Sequence, residues 1–151
     1  GKCKKTFISS TNWSERLGPA TAVKFLKKHK RENAGKTLIH NGKKIRRIWE
    51  KASENAGLDI QISGIYPLSS FKIITEDWPV VITYFIQEML KHNILASDRC
   101  YSNTCQNERS LKIYEAACND VFLKISKYLN QNTLKSKLEG PVKQMGFKRL
   151  T

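Results

Sequence analysis

GLDIQISGIYPLSSFKI, residues 57–73, is the stretch at which the periodicity of the chain changes. Within it Leu58, Ile60 and Ile62 alternate with Asp59, Gln61 and Ser63. Successive side chains of an extended backbone point to opposite faces, so this alternation predicts a half-buried strand. Gly64 to Ser69 includes Pro67 and predicts a turn, after which Ser70–Ile74 predicts an antiparallel partner strand.

On both sides of that stretch the apolar period is helical. Gly18-Pro19 opens a first helix, with proline at the first helical position, running to about Arg31 and carrying Ala22, Val23 and Leu26 on one stripe. Asn33, Ala34 and Gly35 break it. A longer helix follows, with Leu38, Gly42, Ile45, Ile48, Trp49, Ala52 and Ala56 facing one way and Gly57 as its stop. Beyond the strand pair, Asp77-Trp78-Pro79 starts a third helix with Val81, Ile82, Phe85, Ile86, Met89 and Leu90 on its apolar face. Asn93 ends it, Ile94-Leu95-Ala96 predicts a short strand, and 97–107 reads as a polar loop. Asn107 caps a fourth helix whose stripe runs Leu111, Tyr114, Cys118, Val121, Phe122, Ile125, Tyr128 and Leu129. A small antiparallel sheet packed with about four helices is an α+β fold.

A chain of 151 residues has room for one domain with a real core. No apolar run approaches the roughly 20 residues of a membrane span. The N-terminal GKCKKTF lacks the apolar stretch of a signal peptide, so a cytoplasmic chain with no membrane partner is expected. Cysteines stand at 3, 100, 105 and 118 without a C-x-x-C pair. His92 near Cys100 and Cys105 allows a metal site to be imagined, but the spacing matches no zinc module, and reduced structural thiols are expected instead. Cys118, on an apolar stripe, reads as a core residue.

The formal net charge is +14, and from Lys24 to Lys51 eleven Lys or Arg face only Glu32 and Glu50, a net of +9. Such a run attracts nucleic acid or another polyanion. It equally describes solvated helix faces without a function. Otherwise the chain lacks the marks of a complete active site. His29, His40 and His92 are scattered among basic residues, the acids do not pair, and no glycine-rich phosphate loop is present.

One further stretch, FISSTNWSERLGPATA at 7–22, sets Ser9, Ser10 and Thr11 ahead of a helix start. Read alone, such hydroxyls cap or turn the chain, or hold an anion. The stretch resembles the segment after the cofactor lysine in class III pyridoxal-phosphate-dependent aminotransferases, and among them the glutamate-1-semialdehyde aminomutase branch, where an S-S-T-x-W-[TS]-E-R run leads into a helix. GLDIQISGIYPLSSFKI is similar to that family's strand pair after the long helix. FIQEMLKHNILASDRCYSN (85–103) and LEGPVKQMGFKRL (138–150) resemble its later helix, loop and tail. The matches fall in the family's order along nearly the whole chain. Asn12 departs from the pattern, standing where relatives usually carry an aromatic residue.

The resemblance implies the C-terminal part of a fold-type I enzyme that uses pyridoxal 5'-phosphate (PLP) to move an amino group. Residues 1–18 would be a remnant of the large cofactor domain and its connection, and 19–151 the small C-terminal α+β domain. Thr11, with Ser10 as a companion, would contact the cofactor phosphate; charge-assisted bonds to phosphate oxygens are strong ones. No catalytic residue is assigned. The anchoring lysine and the aspartate for the pyridine nitrogen would lie before Gly1, since Lys2, Lys4 and Lys5 are too close to the hydroxyl run. The implied partners are the missing large domain, a second copy in a homodimer, and a small-molecule amino donor and acceptor; nucleic acid is not expected. A basic binding module for nucleic acid or another polyanion, or a non-catalytic interaction domain, are the alternative readings.

Overall fold

The computed structural model describes residues 15–144 and 146. The chain divides into two compact units, Gly1–Gly35 and Lys36–Thr151. In the first, helix α1 spans Leu17–Arg31. It begins earlier than the Gly18-Pro19 signal suggests, so Pro19 is the third helical residue rather than the first. That position is tolerated for the same reason, because none of the first four N–H groups has an intrahelical partner. Among the described residues α1 buries no side chain, and Phe25 and Leu26 stand exposed. The break after it is shorter than 33–35: Asn33 alone takes a left-handed φ of 50°, and Ala34 already opens the next helix.

Helix α2 (Ala34–Ala56), strands β1 (Ile60–Ile65) and β2 (Leu68–Ile73), helix α3 (Trp78–Lys91), strand β3 (Arg99–Tyr101) and helix α4 (Glu108–Asn130) follow, with a 3-10 turn at Leu134–Lys137. The sheet is antiparallel throughout, in the order β1-β2-β3. The expected α+β class is therefore what folds: among the described residues, four helices and a small antiparallel sheet. The hairpin is tighter than 64–69 would make it. Ile60 faces Ile73 and Ile65 faces Leu68, leaving only Tyr66-Pro67 as the turn. Gly64 sits inside β1 with φ of 87°.

The third strand is not where Ile94-Leu95-Ala96 points. Those residues form no strand, and Ile94 N–H still reaches Met89 O at 3.0 Å, closing the end of α3. The strand lies instead inside the expected polar loop, where Leu68 pairs with Tyr101 and Ser70 with Arg99.

The apolar stripes meet on one side of this sheet. Ile45, Ile48, Trp49 and Ala52 of α2, Phe71 and Ile73 of β2, Val81, Ile82, Phe85 and Met89 of α3, and Cys118, Val121, Phe122 and Ile125 of α4 are buried together. The α2 stripe comes unusually close to the hairpin: a Cβ on Gly42 would lie 1.9 Å from Tyr66 O. Asn107 caps α4 through a reciprocal box, accepting from Ser110 N–H at 2.9 Å while Ser110 Oγ accepts from Asn107 N–H at 3.0 Å.

An ionic cluster closes the far side of α3 and α4. Glu88 is buried, 6% exposed, and takes Lys91 at 2.7 Å and Lys124 at 3.5 Å. Lys91 also reaches Glu139, and Lys124 reaches Asp120, which accepts from or pairs with His92 at 2.9 Å. Burial alone would push the Glu88 carboxyl up, yet hydrogen bonds from Lys91 and Gln87 and the charges of Lys91 and Lys124 hold it below its ordinary value. The neighbouring Tyr84 hydroxyl is pushed up to about 12, first by burial and then by the negative charge of Glu88. The tail is strapped to α3 by Gln87, which donates to Lys137 O and accepts from Glu139 N–H, and by Lys143 N–H donating to Thr83 Oγ1.

Two outcomes are expected. Gly42→Ala, which in an ordinary helix interior would stabilise, should here destabilise by about 1–3 kcal/mol in urea denaturation; an unchanged or raised midpoint contradicts the close approach to Tyr66. Because the Glu88 carboxyl is depressed in the folded state, its contribution is present above its ordinary value of 4.5 and is lost as pH falls through the lower folded value. Melting temperature should therefore drop on acidification below pH 4.5, and drop less steeply in Glu88→Gln; parallel acid profiles for the two proteins contradict the assignment.

Candidate functional site

Asn93, with φ of 59°, turns the backbone out of α3, and Asp98 O accepts from Phe71 N–H at 2.9 Å to bring the linker onto β2. Between this linker, Ile45 of α2, β3 and the first turns of α4 lies a cavity of about 390 Å³. Its walls are apolar, from Ile45, Ile94, Leu111 and Tyr114; Arg99, Gln106 and Ser110 supply polar groups. The 103–106 turn beside it is pinned by Asn41, a buried α2 residue that donates to both Asn103 O and Gln106 O at 3.1 Å. Both amide hydrogens of Asn41 are thus used. Asn103 Oδ1 accepts from Cys105 and Gln106 N–H, so this part of the polar loop is an ordered connector.

A second cleft adjoins it, lined by Ser97, Asp98, Arg99, Tyr101, Lys143 and Gln144. Asp98 sits between two cations, 3.7 Å from both Arg99 Nε and Lys143 Nζ, and accepts from Ser97 Oγ at 2.9 Å. The two clefts share Ser97 and Arg99. Asp98 thus faces both cations of this cleft, and the three side chains together carry a net charge of +1.

The titratable thiols and the tyrosine in and behind these walls are held in their neutral forms. Burial pushes the Cys100 thiol up against the opposing hydrogen bond from Gln106. It pushes Cys118 to about 12, and raises Tyr114, whose hydroxyl accepts from Trp49 Nε1–H at 2.8 Å. A thiol held protonated is a weak nucleophile. His92 pairs with Asp120 on α4 rather than with the cysteines. Among the described residues no group of three or more His, Cys, Asp or Glu side chains gathers to hold a metal, and no helix is long and apolar enough to cross a membrane.

Ser10 and Thr11, to which the resemblance gives the cofactor phosphate, lie outside the described residues. PLP needs a lysine amine for its aldehyde and a partner for its ring nitrogen. The 390 Å³ cavity has neither lysine nor carboxylate in its lining, and in the second cleft Lys143 and Asp98 are paired with each other. The described residues therefore do not by themselves make a cofactor cradle. Arg99 escaped the reading of the sequence because nothing in its spacing marks it: β3 is three residues long and lies in a polar run.

No family model matches the chain, and no curated protein matches it. Among solved structures, the chain is similar to the FumI protein of Sphingopyxis sp. MTA144 in its PLP internal aldimine form, with a TM-score of 0.70 at 16% identity. The match covers 84% of this chain and 31% of that one, so the chain spans about a third of the length of the protein it resembles. At this identity the likeness is one of fold.

Thiol accessibility should follow the burial. Alkylation of the native chain, read by mass spectrometry, should label exposed Cys105 and spare Cys118 until the protein unfolds. Labelling of Cys118 at the rate of Cys105 contradicts the core packed around α4.

Proposed function

We propose that this chain is the C-terminal α+β part of a PLP-dependent enzyme of the aminotransferase or aminomutase type, near the glutamate-1-semialdehyde aminomutase branch of class III. The observation that carries the reading is the fold match to a PLP-bearing protein over 84% of this chain but 31% of that one. It is supported by the 7–22 stretch, whose hydroxyl run and following helix resemble that class. When bound, the cofactor supplies an electron sink while an amino group moves between a small-molecule donor and acceptor. The part played by this chain is placement: it closes over the substrate, contributes to a cytoplasmic homodimer, and presents Ser10 and Thr11 to the cofactor phosphate.

On this reading residues 1–18 belong to the edge of the large domain and 19–151 form the small one. The anchoring lysine and its companion aspartate lie in the large domain, which leaves the small domain inactive alone.

The test is an absorbance titration with PLP of this chain alone and of the protein extended through its upstream reading frame. The extended protein should bind and develop a protein-bound visible band. This chain alone should show only what its free lysine amines produce. Thr11→Val in the extended protein should weaken cofactor binding by at least about tenfold, the loss expected for one hydrogen bond to a charged group. Unchanged affinity in Thr11→Val removes the assigned contact, and no binding by the extended protein removes the reading.

A further inference from the structure

The exposed face of α2 carries Lys36, Lys43, Lys44, Arg47 and Lys51 at helical spacing. These cations are not equivalent. Lys44 is ion-paired with Glu108 and Lys51 lies 3.4 Å from Glu115, both on α4. Near the middle of the helix the situation differs. Among the described residues, Lys43, Arg46 and Arg47 have no carboxylate oxygen within 4.0 Å. These three side chains line one cavity of about 250 Å³, together with Glu50 and Tyr66 of the hairpin turn.

Arg46 is held rigidly there. Its Nε–H donates to Ser69 Oγ at 2.8 Å and one Nη2–H to Gly64 O at 2.7 Å, while its guanidinium carbon lies 4.5 Å from the Tyr66 ring centroid. Nη2 also approaches Ser63 O at 3.5 Å. Nη1 has no partner among the described residues, so part of the donor fork is left over. Lys43 Nζ lies 5.2 Å from the same ring centroid. The close packing of Gly42 on Tyr66 fixes the distance between the helix and the hairpin that frame the cavity. A guanidinium oriented in advance loses little freedom on binding and presents the geometry that phosphate oxygens accept.

We propose that this cavity binds a phosphate monoester group carried by a small molecule. Three cations less Glu50 leave a local charge of +2, which matches the roughly −1.5 to −2 of a phosphate monoester near neutral pH. The volume lies below the roughly 300–1,000 Å³ of pockets that enclose drug-sized ligands, which suits an anionic head rather than a whole ligand. A nucleic-acid backbone fits less well, because it engages a run of cations. Here the run is interrupted: Lys44 and Lys51 are engaged by α4, and Glu50 and Glu54 enter the same exposed face one and two turns after Arg46 and Arg47.

The experiment is a titration of the full chain at low ionic strength, followed by amide chemical shifts. Three probes are used separately: inorganic phosphate, glycerol 3-phosphate and a twelve-nucleotide single strand. Both phosphates should produce saturable shifts confined to residues around 43–50 and 63–69. The exposed double variant Lys43→Gln/Arg47→Gln should keep the melting temperature and lose at least about tenfold in affinity for both. Arg46→Lys, which keeps the charge and removes the fork, should also weaken binding. Three results would overturn the proposal: no saturable shift with either phosphate, equal affinity in the folded double variant, or binding by the oligonucleotide along the whole of α2 that phosphate fails to displace.

Discussion

Phe71, at the centre of the middle strand, is the residue on which the second unit is assembled. Its ring centroid lies 4.9 Å from that of Trp49 on α2, 6.0 Å from Trp78 and 5.2 Å from Phe85 on α3, and 5.7 Å from Phe122 on α4. One side chain of a three-stranded sheet thus touches all three helices of its unit. A sheet this small has little apolar face of its own, and large aromatic rings compensate by burying much area each, Phe71 meeting Trp78 and Phe85 edge to face and Trp49 and Phe122 at a tilt. The constraint propagates outward. With Phe71 inward, Ser69 and Ile73 must also point inward, because strand side chains alternate. Ser69 then becomes the buried hydroxyl that receives Arg46, so the orientation of a surface guanidinium is set by the register of the core strand.

Polar pins then hold the connections that the core does not reach. Asn41 ties the 103–106 turn to α2, Gln87 and Thr83 tie the tail to α3, and Asp98 O ties the linker to β2. Each pairs a backbone group of a connection with a partner on a helix or strand that the core holds in place. The same economy organises the charge. Glu108 and Glu115 of α4 take Lys44 and Lys51 of α2, Glu88 of α3 takes Lys124 of α4, and Asp120 takes Lys124 one turn along its own helix, while among the described residues Lys43, Arg46 and Arg47 have no carboxylate oxygen within 4.0 Å.

Much of this was legible in the residues. The stripes of α2 and α4 name the buried set almost completely, and Asn107 marks the start of α4 by a capping pattern that the structure keeps. Periodicity worked there because each helix buries one face over many turns. It failed where elements are short. Ile94-Leu95-Ala96 has strand composition, but Leu95 is 94% exposed and the segment is the unwinding end of a helix. Arg99–Tyr101 is a strand only because β2 offers it a free edge, which no local pattern announces. Gly64 and Ser69 read as turn residues, and the paired strands absorbed them because glycine accepts a positive φ inside β1 and a serine can bond back to the turn carbonyls. Of the candidate sites, Ser10 and Thr11 came from a resemblance and lie outside the described residues. The arrangement of Lys43, Arg46 and Arg47 around Tyr66 joins residues about twenty positions apart through packing, so charge counting could show the excess but not the cavity.

The claim that binds these observations together is that the fold is one portion of a larger cofactor enzyme. Sequencing the natural reading frame upstream of Gly1 tests it most directly. The account predicts a large α/β domain encoded there, with an aspartate and a lysine placed before the Ser9–Thr11 run. A frame that starts at or near Gly1 would contradict it.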